Sequence, residues 1–420
     1  MPFVMRSPRR RVFHGWKIVA GGALLQALQS GLIIQAYGNY AVVLERQFGW
    51  SKTVLAAGYS LNRAESSLLG LPQGWALTRF GAKRVMRVGI VMLSFGFVLF
   101  SRINAPWHFF TALGVMAVGA SLSGFLSVVT ATVRWFENRR ARALSFSSLG
   151  FAAGGALAPA LVWFLQRYGW QNAALLSAVI VLVVGWPVTS VFGPGPEDLG
   201  LRVDDMAPGE VRDEAAFRAE GVSDVHFTLA QAMRTRSFWM ISFGHASALL
   251  VVGAVLAHLV LFLTSELGFS DQRASFVAAA LPMTQFVGIL IGGQLGDRIN
   301  KRLLASVAML GHMAGLLLLA YATHRWMVWV FIPLHGLSWG VRGPLMQALR
   351  ADYFGSTYFG QIMGFSSFII GFGMVGGPLL AGILADRTGN YRLGFTILAL
   401  MAGLGMTFFV LATPPATPTE

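Results

Sequence analysis

Few residues in this 420-residue chain could do chemistry, and those that could sit in apolar sequence. Arg342 is the clearest case. It shares one helical face with His335, Trp339 and Met346, which follow i, i+4, i+7, i+11 spacing counted from His335. A guanidinium offers two parallel donors to a carboxylate, an indole gives a flat wall, and an imidazole titrates near neutrality. Together they read as a receptor for a small organic anion.

Arg63 and Glu65 form a second cluster. Two residues apart, they point to different sides of a helix and cannot pair as i, i+4 neighbours do. A charge at the centre of a membrane helix costs roughly 2.5–3.5 kcal/mol on insertion scales, so each needs a partner or a watery cavity. A carboxyl that alternates between burial and contact with an arginine can take up and release a proton. Glu65, tuned by Arg63, is therefore a candidate proton carrier, with an interhelical ion-pair network as the plain alternative. His245 and His258 are too far apart along one helix, about 20 Å, to share a metal. Nothing supports catalysis: there is no nucleophile–base signature, phosphate loop, metal-spaced cluster or ATP-hydrolysing module. With no cysteine, disulfides and thiolate sites are excluded as well. No cofactor, metal or catalytic residue is expected.

The elements that position these residues are apolar spans. The chain is 55% hydrophobic and only 12% charged, against about 25% charged in soluble domains, and its mean hydropathy is +0.61. Segments near the roughly 20 residues that cross a bilayer fall at 16–43, 53–78, 85–101, 107–132, 143–166, 171–192, 238–263, 273–296, 303–322, 326–348, 360–385 and 391–413. The expectation is an all-α polytopic membrane protein with 12 transmembrane helices in two pseudo-symmetric six-helix bundles. Its domains would be residues 1–192, an acidic linker 193–237 opening Gly193-Pro194-Gly195-Pro196, and residues 238–420. The N-terminal Arg6, Arg9, Arg10 and Arg11 precede an apolar run too long for a signal peptide, which reads as an uncleaved first span. With both termini, the linker and alternate loops placed in the cytoplasm, most of the 32 Lys and Arg lie on that side. Topology thus accounts for the net charge of +14, and no nucleic-acid partner is expected.

The two halves repeat at an offset of 219 residues. Gly49-Trp50-Ser51 recurs as Gly268-Phe269-Ser270, Gly74 and Arg79 as Gly293 and Arg298, and Pro159 as Pro378. Two related halves around a midplane site are a transporter arrangement. The pairs Gly70/Gly74, Gly150/Gly154 and Gly373/Gly377, with the Gly288/Gly292/Gly296 series, predict close helix contacts. Gly371-Phe-Gly373-Met-Val-Gly376 formally spells a dinucleotide fingerprint, but inside an apolar span it lacks the strand-to-helix turn that motif needs.

Gly74-Trp-Ala-Leu-Thr78-Arg79-Phe-Gly81-Ala-Lys83-Arg84 and Gly293-Gln-Leu-Gly296-Asp297-Arg298-Ile-Asn300-Lys301-Arg302 both resemble the Gly-x-x-x-Asp-Arg-x-Gly-basic-basic loop of the major facilitator superfamily. His14-Gly15-Trp16-Lys17, Phe48-Gly49-Trp50-Ser51, Arg134-Trp135-Phe136 and Gly169-Trp170 are similar to the monocarboxylate porter and oxalate/formate antiporter-like branch. The resemblance implies the major facilitator fold and a cytoplasmic gate built from Gly74, Thr78, Arg79, Asp297 and Arg298. The family's acid is Thr78 in the first loop, so one strong and one weak latch are expected. It also implies that spans one, four, seven and ten line the cavity, adding Gln26, Ser30 and Tyr37 on one stripe of span one and His245 of span seven to the substrate site of His335, Trp339 and Arg342. The branch's basic residues in spans eight and eleven are missing here.

The expected function is secondary active transport of a small, monocarboxylate-like organic anion by alternating access, coupled to protons. The expected setting is the bilayer of a bacterial inner membrane, with a single chain as the working unit. Two alternatives stand: an exporter of apolar or cationic compounds by proton antiport, and a non-transporting sensor or partner protein with the same fold.

Overall fold

A computed structural model of the chain describes residues 13–50, 54–55, 57–58, 69–154, 158–193, 195–205 and 226–416. Arg63 and Glu65 lie outside the described residues. Every regular element among those described is helical.

The first span is helix α1 (His14–Gln29), a π turn at Ser30–Ile34, and α2 (Tyr37–Phe48). A π turn inserts one residue per turn and commonly marks a hinge or a functional site. There follow α3 (Gly70–Phe80), α4 (Ala82–Phe100), α5 (Pro106–Ser123), α6 (Phe125–Val133), α7 (Arg140–Ala153), α8 (Ala158–Tyr168) and α9 (Trp170–Val188). Past the linker come α10 (Leu229–Met233), α11 (Arg236–Ser265), α12 (Asp271–Gly296), α13 (Lys301–Ala320), α14 (Arg325–Phe354), α15 (Phe359–Thr388) and α16 (Arg392–Leu411).

Eight helical stretches among the described residues are long and apolar enough to cross a membrane. The third span, α4, is excluded by Lys83, Arg84 and Arg87 in its first turns, and the tenth, α14, is made less apolar by His335 and Arg342. Several helix ends differ from expectation by a few residues, among them the start of α11 and the end of α14. Helix α11 already starts at Arg236, where Thr235 caps it by accepting from the Phe238 amide at 3.2 Å. Helix α14 runs past 348 to Phe354 and so carries Arg350 and Asp352, which look in sequence like interfacial charges.

The buried side chains form two clusters. One is drawn entirely from Phe13 to Phe192. The other runs from Phe227 to Ala412 and takes in Leu77, Val85, Leu126, Val129, Val133, Ala141 and Leu144 from the first half. The repeat is visible in the backbone: Gly49 (φ 64°) and Gly268 (φ 62°), 219 positions apart, both take the left-handed conformation that favours glycine.

It is visible in the packing too. A Cβ on Gly74 of α3 would meet the Gly360 carbonyl and lie 2.9 Å from Gln361 Cα on α15. A Cβ on Gly293 of α12 would lie 2.6 Å from Ser145 Oγ and 3.3 Å from Arg142 Cα on α7. Gln361 and Arg142 are themselves 219 positions apart, so one crossing is the repeat image of the other. Gly70 packs likewise on Gly364, whose carbonyl would stand 2.7 Å from its Cβ. Gly373 and Gly377 receive the Ala246 and Leu250 carbonyls of α11, which makes that glycine run a helix-packing surface. All the crossings between the halves named here lie toward the side that carries the linker.

The linker is tied at both ends. Asp204, left-handed at φ 59° and buried, accepts from the amides of Glu137 (3.0 Å), Asn138 (2.6 Å) and Arg139 (3.4 Å) ahead of α7. Phe227 donates its amide to the Phe354 carbonyl at 3.1 Å and packs edge-on against that ring.

Candidate functional site

Helix α14 holds Pro333 and Pro344 in its interior. Proline has no amide hydrogen and breaks the helical ladder locally, freeing the Trp329 and Gly340 carbonyls on either side of the chemical residues. His335 and Arg342 are fully buried and Trp339 is half-buried.

Arg342 is 1% exposed, and its Nε and Nη1 have no hydrogen-bond partner. Eight residues on, Arg350 lies on the same face and is satisfied by neutral acceptors only. Its Nε and Nη2 donate to Ser366 Oγ of α15 at 3.0 and 2.7 Å, and its Nη1 donates to the Met346 carbonyl at 3.0 Å. Nη1 also lies 3.4 Å from His245 Nδ1 on α11. Ser366 is shared with Ser242 of α11 at 2.9 Å. Arg342 is within electrostatic reach of Arg350, His245, His312 and His335. Among the described residues no carboxylate pairs with either arginine. Two buried guanidinium groups without a counter-charge are costly in a low-dielectric interior unless an anion completes them.

The structure therefore brings His245, His335 and Arg342 into one cluster and adds Arg350, Ser366 and His312, which the sequence reading leaves out. Arg350 does carry a signal, since Arg342, Met346 and Arg350 continue one i, i+4, i+8 stripe. His312 carries none, because its partner is on another helix.

The candidates of the first span are placed elsewhere. Gln26 Nε2 donates to the Ser147 carbonyl on α7 at 3.0 Å. Ser30 is buried where a Cβ on Gly154 would touch it, and Tyr37 Oη donates to the Leu55 carbonyl at 2.6 Å. His258 is bound away from the cluster, with Nε2 3.0 Å from the Pro378 carbonyl and Nδ1 3.1 Å from Tyr391 Oη.

The gate residues differ by half. Thr78 Oγ1 donates to the Gly74 carbonyl of its own helix at 3.0 Å. Asp297 reaches across, accepting from the Ala141 amide at 2.9 Å and the Arg142 amide at 3.3 Å, with Arg142 Nε 3.7 Å away. It lies at the N-terminus of α7, where the helix dipole favours negative charge. Burial nonetheless pushes its carboxyl up to about 6, against the pull of Lys301, the Ala141 amide and Arg142. Burial raises the Asp204 carboxyl as well, opposed by the Asn138 and Arg139 amides and by Arg140 and Arg139. Arg79 and Arg298 are exposed. The strongest tie between the halves is one the sequence reading does not name: Asp352 binds Arg140 Nη1 through Oδ1 and Lys301 Nζ through Oδ2 at 3.0 Å, all three buried.

Repeat-related helices that cross at glycines around a buried cationic cluster define a membrane transporter of small molecules. The chain belongs to the major facilitator superfamily, whose family model matches residues 19–270 and 241–420. It is 28% identical over 431 residues to human monocarboxylate transporter 11, covering 96% of this chain and 84% of that one. It is 22% identical over 417 residues to bovine monocarboxylate transporter 13, covering 97% and 92%. The fold is shared with the crystal structure of the human organic anion transporter MFSD10 at a TM-score of 0.70 and 15% identity, over 94% of this chain and 99% of that one.

Proposed function

We propose that this chain moves a small monocarboxylate-like anion together with a proton by alternating access, with Arg342 as the anion's counter-charge. One observation carries the reading: a fully buried guanidinium with two unpartnered N–H groups beside a second arginine, and no acid among the described residues to neutralise either. A carboxylate fits the parallel N–H pairs of a guanidinium, which join Nη2 to Nε or to Nη1, and Arg350 extends the positive field around it. The names of the monocarboxylate transporters that the chain resembles agree with this chemistry.

We read the distribution of basic residues as support for both termini and the linker lying in the cytoplasm. In that orientation the glycine crossings and the Asp297 and Asp352 ties hold the cytoplasmic side shut. Opening that side requires the halves to rock apart along these contacts.

The test is purified protein in liposomes containing a pH dye, challenged with lactate, pyruvate, acetate, formate and oxalate under an inward proton gradient, against protein-free vesicles. The expected result is saturable acidification that Arg342→Gln reduces at least a hundredfold. Wild-type protein that moves none of these anions overturns the reading.

A further inference from the structure

Behind Arg342, His335 of α14 meets His312 of α13. Both imidazoles are fully buried, with ring centroids 4.7 Å apart at 70° and Nδ1 to Nδ1 at 3.1 Å. Both Nε2 atoms are buried with no hydrogen-bond partner. We propose that this pair is the transporter's proton-binding site, loaded with one proton when an anion occupies Arg342. The proposal rests on the anion-transport reading above.

The hydrogen-bond accounting points to a proton receptor. Two neutral imidazoles carry one N–H each. One N–H spans the gap between the Nδ1 atoms, so the donating ring is left with a bare Nε2 lone pair and the accepting ring with an Nε2–H that donates to nothing. An incoming proton adds to the bare Nε2. The donating ring becomes imidazolium and the contact between the rings becomes a charge-assisted hydrogen bond, stronger and shorter than the neutral one. No bond other than N–H forms and nothing is oxidised. A second proton would place two cations in contact, so the pair takes one.

The surroundings set when that proton arrives. The charged or titratable group that faces both rings from α14 is Arg342, with Arg350 one stripe further on. On α11, His245 lies within reach of both arginines. Among the described residues α12 and α16 contribute no ionisable side chain in their middle turns. The field on the pair is thus positive while the anion site is empty. His335 and Arg342 are seven residues apart, about 10 Å of helix rise. Across that distance, at an effective dielectric constant of about 20, neutralising one charge changes proton affinity on the order of tenfold. Anion binding therefore recruits the proton, and by linkage the proton raises anion affinity by the same factor. That reciprocity favours joint binding of one anion and one proton, with no acid at the pair among the described residues.

The experiment measures proton uptake on lactate binding to detergent-solubilised protein in weakly buffered solution, alongside two liposome assays: proton-driven lactate accumulation and lactate-for-lactate exchange. The expected wild-type result is a net proton uptake that reaches about half a proton per lactate bound at its optimum pH, the ceiling for a tenfold coupling. His312→Gln, and separately His335→Gln, should abolish that uptake and cut driven accumulation at least tenfold, while exchange falls far less. His258→Gln removes a half-buried histidine outside the cluster and should keep all three. If His312→Gln and His335→Gln still take up protons on lactate binding as wild-type protein does, or if wild-type protein binds lactate with no proton uptake at any pH, the pair is a packing contact and the proposal is overturned while the anion reading stands. Wild-type protein that binds no carboxylate overturns both. A variant that does not fold is replaced by the Asn substitution at the same position, read by the same uptake measurement.

Discussion

The first-half loop at Thr78 and the second-half loop at Asp297 are repeat images of each other, yet they hold the molecule by different means. Thr78 turns back on its own helix, and the crossing beside it relies on Gly74 lying flat against Gly360. Asp297 binds two amides of α7 across the divide, and Asp352 sits close by with Arg140 and Lys301. One crossing is held by steric fit, the other by buried charge. Fit is lost when an atom is added, and a charged tie is lost when one of its partners is removed.

That contrast can be broken or sharpened by substitution, read through the maleimide labelling rate of a single Ser145→Cys reporter in a chain that has no native cysteine. The largest effect is expected for Asp352→Ala. It leaves Arg140 and Lys301 buried without their acid, a loss of about 3–5 kcal/mol to the closed form, and labelling should rise a hundredfold or more. Next is Gly74→Ala, whose methyl meets a backbone carbonyl that cannot step aside. A cost of about 1–3 kcal/mol is expected for overpacking of this kind. Gly293→Ala should cost less, because its methyl meets the Ser145 hydroxyl; a Leu144→Cys reporter, buried in the same core between the halves, replaces Ser145→Cys for that variant. If the two alanine variants behave alike, the distinction drawn between the crossings is wrong.

Thr78→Asp should act in the opposite sense. By the repeat, an acid at 78 faces the amides of Gly360 and Gln361 as Asp297 faces those of Ala141 and Arg142. One such helix-capping interaction is worth about 1 kcal/mol, and labelling should slow by several-fold. The smallest effect is that of pH. In the closed form Asp297 holds its proton up to about 6, whereas an aspartate opened to water titrates at about 3.9. Between those values the closed form binds more protons, so acidifying the linker side from pH 7 to 5.5 favours closure. Labelling should slow by a few-fold over that range, and Asp297→Asn should remove the slope.

The sequence carried the architecture further than the site. Apolar runs, the linker's acids and the repeat predict a polytopic membrane fold in two related halves, because burial in lipid imposes a length and composition that one dimension can display; the family follows from the resemblance of the Gly74 and Gly293 loops. Helical spacing likewise puts His335, Trp339 and Arg342 on one face. What spacing cannot supply is the partner across the helix boundary. His312 looks like one polar residue in an apolar run until His335 is seen beside it. Arg350 and Asp352 read as the charged end of a span because the helix outlasts the apolar stretch by more than a turn. Gln26, Ser30 and Tyr37 do form a stripe, but a stripe does not say which neighbour it faces, and here the neighbours are α7 and Leu55.

The doubly tied linker has a use in the laboratory. Asp204 stays with the first half and Phe227 with the second, so a break in the chain between residues 206 and 225 severs none of the described contacts. Expressed as two polypeptides divided there, each piece would keep its own anchor and the two could find each other through the glycine crossings alone. The protein then becomes a two-component system in which either half can be mutated, labelled or exchanged separately.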